Sequence, residues 1–91
     1  MKVDVYDTYA PSKQGQVMHF DVLVPHGTDA KTAFRFAQDW LASVGEDGNG
    51  LSQNRCRFCH SEPAGPGVEQ AIAVAGCFIL QMENCPQPAV G

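Results

Sequence analysis

Between residues 16 and 44 the apolar residues change their repeat, and that change fixes the class of fold. Met18, Phe20, Val22 and Val24 recur at every second position, the spacing of a strand with one face buried. Past Pro25-His26-Gly27, the residues Ala30, Ala33, Phe34, Ala37, Leu41 and Val44 recur at helical spacing, and Phe36 and Trp40 widen the stripe. Side chains alternate faces along a strand and return to one face every third or fourth residue along a helix. A strand must therefore give way to a helix within a few residues, with Thr28 or Asp29 as the helix cap.

The same two repeats extend in both directions. Val3 and Val5 begin an earlier strand over about residues 2–9, and Pro11 and Gly15 separate it from the strand at about 16–24. Gly45 closes the first helix and 46–50 is a loop. Residues 51–62 read as a third strand. Pro66 opens a shorter helix with Val68, Ala71, Ile72 and Ala75 on one face, and Gly76 ends it. Cys77 to Asn84 is the last strand. The order β-β-α-β-α-β predicts an α+β two-layer sandwich: a mixed four-stranded sheet with both helices on one face. Its β-α-β links are expected to be right-handed wherever the joined strands run parallel. Residues 1–85 are expected to form one domain, with 86–91 a flexible tail, since Pro86 and Pro88 block further pairing.

Charge limits the partners. The chain has six Lys plus Arg against ten Asp plus Glu, and no basic run. Phosphate neutralisation thus has little to draw on, which argues against nucleic acid and against an anionic membrane surface. No apolar run is long enough to span a bilayer, and Met1 to Tyr9 lacks the apolar region of a signal peptide. A cytoplasmic location is expected, where four cysteines are read as free thiols or ligands rather than a disulfide framework.

Cys56-Arg-Phe-Cys-His60 is the stretch that asks for chemistry. The spelling fits haem attachment, with Met82 as a further ligand, but that needs export and a helical setting. It fits zinc through Cys56, Cys59 and His60, with Cys77 or Cys85 completing four ligands. It fits a dithiol redox pair, although such pairs sit at a helix N-terminus and this one precedes a Pro/Gly loop. In a strand, residues three apart point to opposite faces, so Cys56 and Cys59 diverge unless a turn intervenes. The plainest reading makes Cys56 a small core residue and leaves Cys59 outside.

The alternation also leaves one sheet face open. With Val3, Val5, Phe20 and Val22 sharing the covered face, the open one carries Tyr6, His19, Asp21, Arg57, Cys59 and Cys77. His60 and Glu62 lie at the end of the third strand. Thiol, imidazole and carboxylate together are the parts of a cysteine nucleophile, with Cys59 and His19 as the candidates. The reading favoured is a non-catalytic binding or interaction module that uses Tyr6, His19, Asp21, Arg57, Cys59, His60 and Glu62. Its partner would be a protein or small molecule, a second copy of the chain included. No cofactor is expected. The alternatives are a zinc protein and a cysteine-dependent enzyme or dithiol redox protein.

Four motifs in order, "DVYDTY" at 4–9, "MHFDV" at 18–22, "CRFCHSE" at 56–62 and "MENC" at 82–85, resemble a family of short bacterial proteins. This is DUF twenty-twenty-four, a domain of unknown function. The resemblance implies a small cytoplasmic α+β domain over residues 1–85. It implies no reaction, cofactor or partner.

Overall fold

A computed structural model describes residues 1–85, so the expected tail at 86–91 lies outside the described residues. The elements follow the expected order: β1 (Lys2–Pro11), β2 (Val17–Pro25), α1 (Ala30–Ser43), β3 (Cys56–Pro63), α2 (Pro66–Ala75) and β4 (Phe78–Glu83). Local chemistry sets the boundaries. The Ser12 hydroxyl accepts from the backbone N–H groups of Gln14 and Gln16, closing the β1–β2 turn. Asp29 caps α1, its carboxylate accepting from Thr32 N–H at 2.8 Å. β3 starts later than the sequence suggests. Residues 48–55 coil into two short 3-10 turns instead, Gly48–Gly50 and Gln53–Arg55, where Gly, Asn and Ser favour turns over pairing.

The strand order is β3-β1-β2-β4, and each neighbouring pair is antiparallel. The sheet is therefore not mixed. α1 does link strands that run the same way, β2 and β3, but β1 lies between them. They are never hydrogen-bonded neighbours, so no parallel ladder forms.

The helices do not share a face. β1 and β2 pair without irregularity, with Val5 opposite Leu23 and Tyr6 opposite Val22. Odd positions of β1 thus share a side with odd positions of β2. On the even side Tyr6, Ala10, Met18, Phe20, Val22 and Val24 pack with Ala33, Ala37 and Leu41 of α1. On the odd side Val3, Val5 and Leu23 pack with Ile72 of α2, and Val68 and Phe78 close over them. The expected grouping of Val3 and Val5 with Phe20 and Val22 is overturned by this register. Tyr6, expected on the open face, is buried beneath α1, where its hydroxyl donates to Thr28 O. Cys77 likewise packs against the α1 core rather than facing out.

The main core lies under α1. Phe20, Met18 and Leu41 are its largest fully buried side chains, and the Phe20 and Trp40 rings meet at 4.6 Å. Emptying such a site to Ala costs roughly 3–5 kcal/mol. α2, with ten residues, covers only the end of the other face around Val3, Val5 and Leu23. Among the described residues nothing covers the rest of that face, and this positions the site.

Candidate functional site

The uncovered half-face is built from the odd positions at the far ends of β1 and β2 and from β3. Asp7 stands opposite Asp21, and Tyr9 opposite His19. On the β3 side Arg57 stands opposite Asp7. On the other flank β4 brings Leu80 opposite Asp21 and Glu83 opposite His19. Four strands thus deliver side chains to one patch that no helix of the described residues covers.

At its centre are Asp7, His19 and Asp21. Their ligating atoms all lie within 4.8 Å of one another. His19 Nε2 is 2.5 Å from Asp7 Oδ1 and 4.0 Å from Asp21 Oδ1. The side chains are half-sunk rather than waving in solvent: His19 is 17% exposed, Asp21 16% and Asp7 35%. The His19 ring lies flat on Tyr9, with centroids 4.3 Å apart and planes 8° from parallel. Burial first, and the neighbouring Asp7 carboxylate second, push the Asp21 carboxyl up from its usual range. Two carboxylates brought together in this way favour an arrangement in which a proton or a cation sits between them.

β3 carries a second arrangement. Its pairing with β1 shifts between Val5 and Tyr6: Val5 faces His60, Tyr6 faces Phe58, and Cys59 is the extra residue of a β-bulge. Cys59 Sγ lies 3.3 Å from His60 Nδ1, and His60 Nε2 lies 2.7 Å from Glu62 Oε1. Cys56 is elsewhere. Its sulfur is buried on the α1 side, where it accepts from the Thr8 hydroxyl at 3.4 Å, and burial pushes its thiol up. The two sulfurs of the Cys-x-x-Cys stretch leave β3 in opposite directions, so Cys56, Cys59 and His60 do not converge. Cys85 donates to His19 O on β2, away from both.

Of the residues singled out in the sequence, His19, Asp21, Arg57, Cys59, His60 and Glu62 fall on or beside the uncovered half-face. Tyr6 and Cys77 do not. Cys59 meets His60 rather than His19. Asp7 and Tyr9 were missed. Both stand in the "DVYDTY" stretch at odd positions, and the register that sends Val3 and Val5 under α2 is what places them beside His19.

Asp4 belongs to a different network. It is buried on the α1 side and accepts from the Ser61 hydroxyl at 2.6 Å and the Gly27 N–H at 3.0 Å, with His26 Nδ1 at 2.8 Å. These bonds hold its carboxyl down at about 2. The side chain ties β1 to β3 and to the β2–α1 turn.

No helix among the described residues is long and apolar enough to cross a membrane. No curated protein matches the chain. Among solved structures, the chain is similar to the NMR structure of protein NE1680 from Nitrosomonas europaea, a structural genomics target. The two are 49% identical with a TM-score of 0.83, over 93% of this chain and 99% of that one. Residues 1–82 match the family described as Domain of unknown function (DUF2024), and the chain belongs to that family.

Proposed function

We propose that the domain is a non-catalytic binding module that works through the uncovered half of its sheet, and that the ligand at its centre is a divalent cation held by Asp7, His19 and Asp21. The observation that carries this is the convergence of one imidazole nitrogen and two carboxylates within 4.8 Å, on three half-buried side chains. Nitrogen and oxygen ligands sit about 2.0–2.2 Å from zinc, which sets them roughly 3–3.5 Å from each other. The separations of 2.5 and 4.0 Å about His19 Nε2 bracket that spacing, so small side-chain rotations suffice. Burial raises the Asp21 carboxyl most and the Asp7 carboxylate next, and a cation would offset the second of these. An imidazole with two carboxylates suits zinc or manganese. The solvent side stays free for water or a ligand's own donor, and Glu83, opposite His19, is within the same patch.

Calorimetric titration of the purified, metal-stripped protein with zinc and, separately, with manganese tests this. One equivalent of at least one ion should bind. Asp21→Asn and His19→Gln should each weaken it about tenfold or more, while Cys59→Ser leaves it unchanged. Absence of binding at millimolar ion overturns the proposal. So does binding that survives Asp21→Asn and is lost in Cys59→Ser, which would return the metal to the cysteine stretch.

A further inference from the structure

We infer that Cys59 is a nucleophilic thiol served by His60 and Glu62, and that it takes up small thiols from low-molecular-weight disulfides to form a stable mixed disulfide. This does not depend on the cation site, which uses none of the three residues.

The bulge is the structural cause. In an unbroken strand Cys59 and His60 would leave opposite faces. With Cys59 added to β3 without a partner on β1, the thiol and the ring come together at 3.3 Å. His60 has both nitrogens engaged. Nε2 lies 2.7 Å from the Glu62 carboxylate, which can only accept, so the proton resides on Nε2. Nδ1 is then the lone-pair nitrogen and faces the thiol. This is the order nucleophile, base, orienting carboxylate that activates a thiol. The charged groups around it are Arg57 and Glu62 on β3 itself and Asp7 and Asp21 from β1 and β2, on the same side of the sheet.

The step balances without any further reagent. The Cys59 thiol gives its proton to His60 Nδ1 as the sulfur attacks one sulfur of the disulfide R–S–S–R. A Cys59–S–S–R bond forms, the S–S bond of the reagent breaks, and the departing R–S⁻ takes the proton from His60. One disulfide is consumed and one is formed. Cys59 and His60 are exposed, so the reagent has access. The fate of the mixed disulfide depends on where the other thiols lie. Cys56 lies on the other side of the sheet beside Thr8, and Cys77 packs into the α1 core. Cys85 follows β4, at the opposite edge of the sheet from β3, and donates to His19 O. None of the three reaches the new bond, so Cys59 acts as a single-thiol site that an outside thiol must clear.

The test is reaction of the folded protein with oxidised glutathione at pH 7, followed by peptide mass mapping. Cys59 should be modified before Cys56, Cys77 and Cys85. His60→Gln should slow modification of Cys59 about tenfold, less than the roughly hundredfold or more that a positioned base gives in catalysis because a thiol is already partly ionised at pH 7, with circular dichroism unchanged, and Glu62→Gln should slow it by a smaller factor. Equal rates at Cys59 in the wild type and His60→Gln overturn the inference, as does faster modification of any other cysteine. His60 is 52% exposed, so its replacement does not threaten the core.

Discussion

Tyr9 and His19 are stacked across the β1–β2 pair, 4.3 Å between centroids and 8° from parallel, and this fixes the plane in which His19 presents Nε2 to Asp7. In the proposed cation site Tyr9 would therefore position a ligand without being one. Tyr9→Ala should cost about 1 kcal/mol of stability, the value of such a ring pair, and should weaken cation binding while leaving its stoichiometry at one. Calorimetry on the variant separates the two effects. Unchanged affinity would mean that the stack has no part in orienting His19.

Asp21 is held against its own preference. Its carboxyl is raised by burial first and by Asp7 second, so the folded state binds its proton more tightly than the unfolded chain does. Stability from this group is present below the ordinary carboxylate range and falls as pH rises through the raised value. Asp21→Asn should therefore be more stable than the wild type at pH 7, with the gain vanishing near pH 3, and should bind the cation poorly. Urea melts at the two pH values check the sign. Sites kept for binding often cost stability in this way.

Asp4 behaves in the opposite sense. The hydrogen bond from Ser61, then that from His26, then that from Gly27, lower its carboxyl from 3.8 to about 2. A depressed carboxyl contributes stability that is complete above the ordinary value and lost as pH falls through about 2. Asp4→Asn should cost about 2 kcal/mol at pH 7, since a tenfold change in proton affinity is worth about 1.4 kcal/mol. The difference from the wild type should close below pH 2. A constant difference across that range would show that the carboxylate charge is not what Ser61 and His26 recognise.

Gly76 ends α2 in the left-handed region, at φ 85°, and a Cβ there would stand 2.9 Å from Phe36 Cζ of α1. Gly15, at φ 84°, has open space around it. Gly15→Ala should cost about 1 kcal/mol for backbone strain alone. Gly76→Ala should cost more, because the Phe36 ring must also move. Thermal melts of the two variants decide this, and equal losses would mean that Phe36 yields freely.

The element order was legible because each element announces itself locally: alternation in β2, the Ala33–Ala37–Leu41 stripe, Asp29 and Gly76 at helix ends. The faces were not, because they depend on how strands register. β1 carries apolar residues at both parities, Val3 and Val5 on one and Tyr6 and Ala10 on the other. Only the pairing of Val5 with Leu23 says which of them meets α1. That single register moved Tyr6 into the core and brought Asp7 and Tyr9 to His19. The divergence of Cys56 and Cys59 was legible, since it follows from strand parity. The meeting of Cys59 with His60 was not, since a bulge is a property of the pair of strands.

A cation between Asp7, His19 and Asp21 would be bound through the imidazole of His19. Nitrogen-15 NMR of the three histidines during zinc titration reads this most directly, because a metal-bound imidazole nitrogen shifts and an unbound one does not. The prediction is a large shift at His19 Nε2, complete at one equivalent, with His26 and His60 nearly unmoved. A shift centred on His60, or none at any histidine, would contradict it.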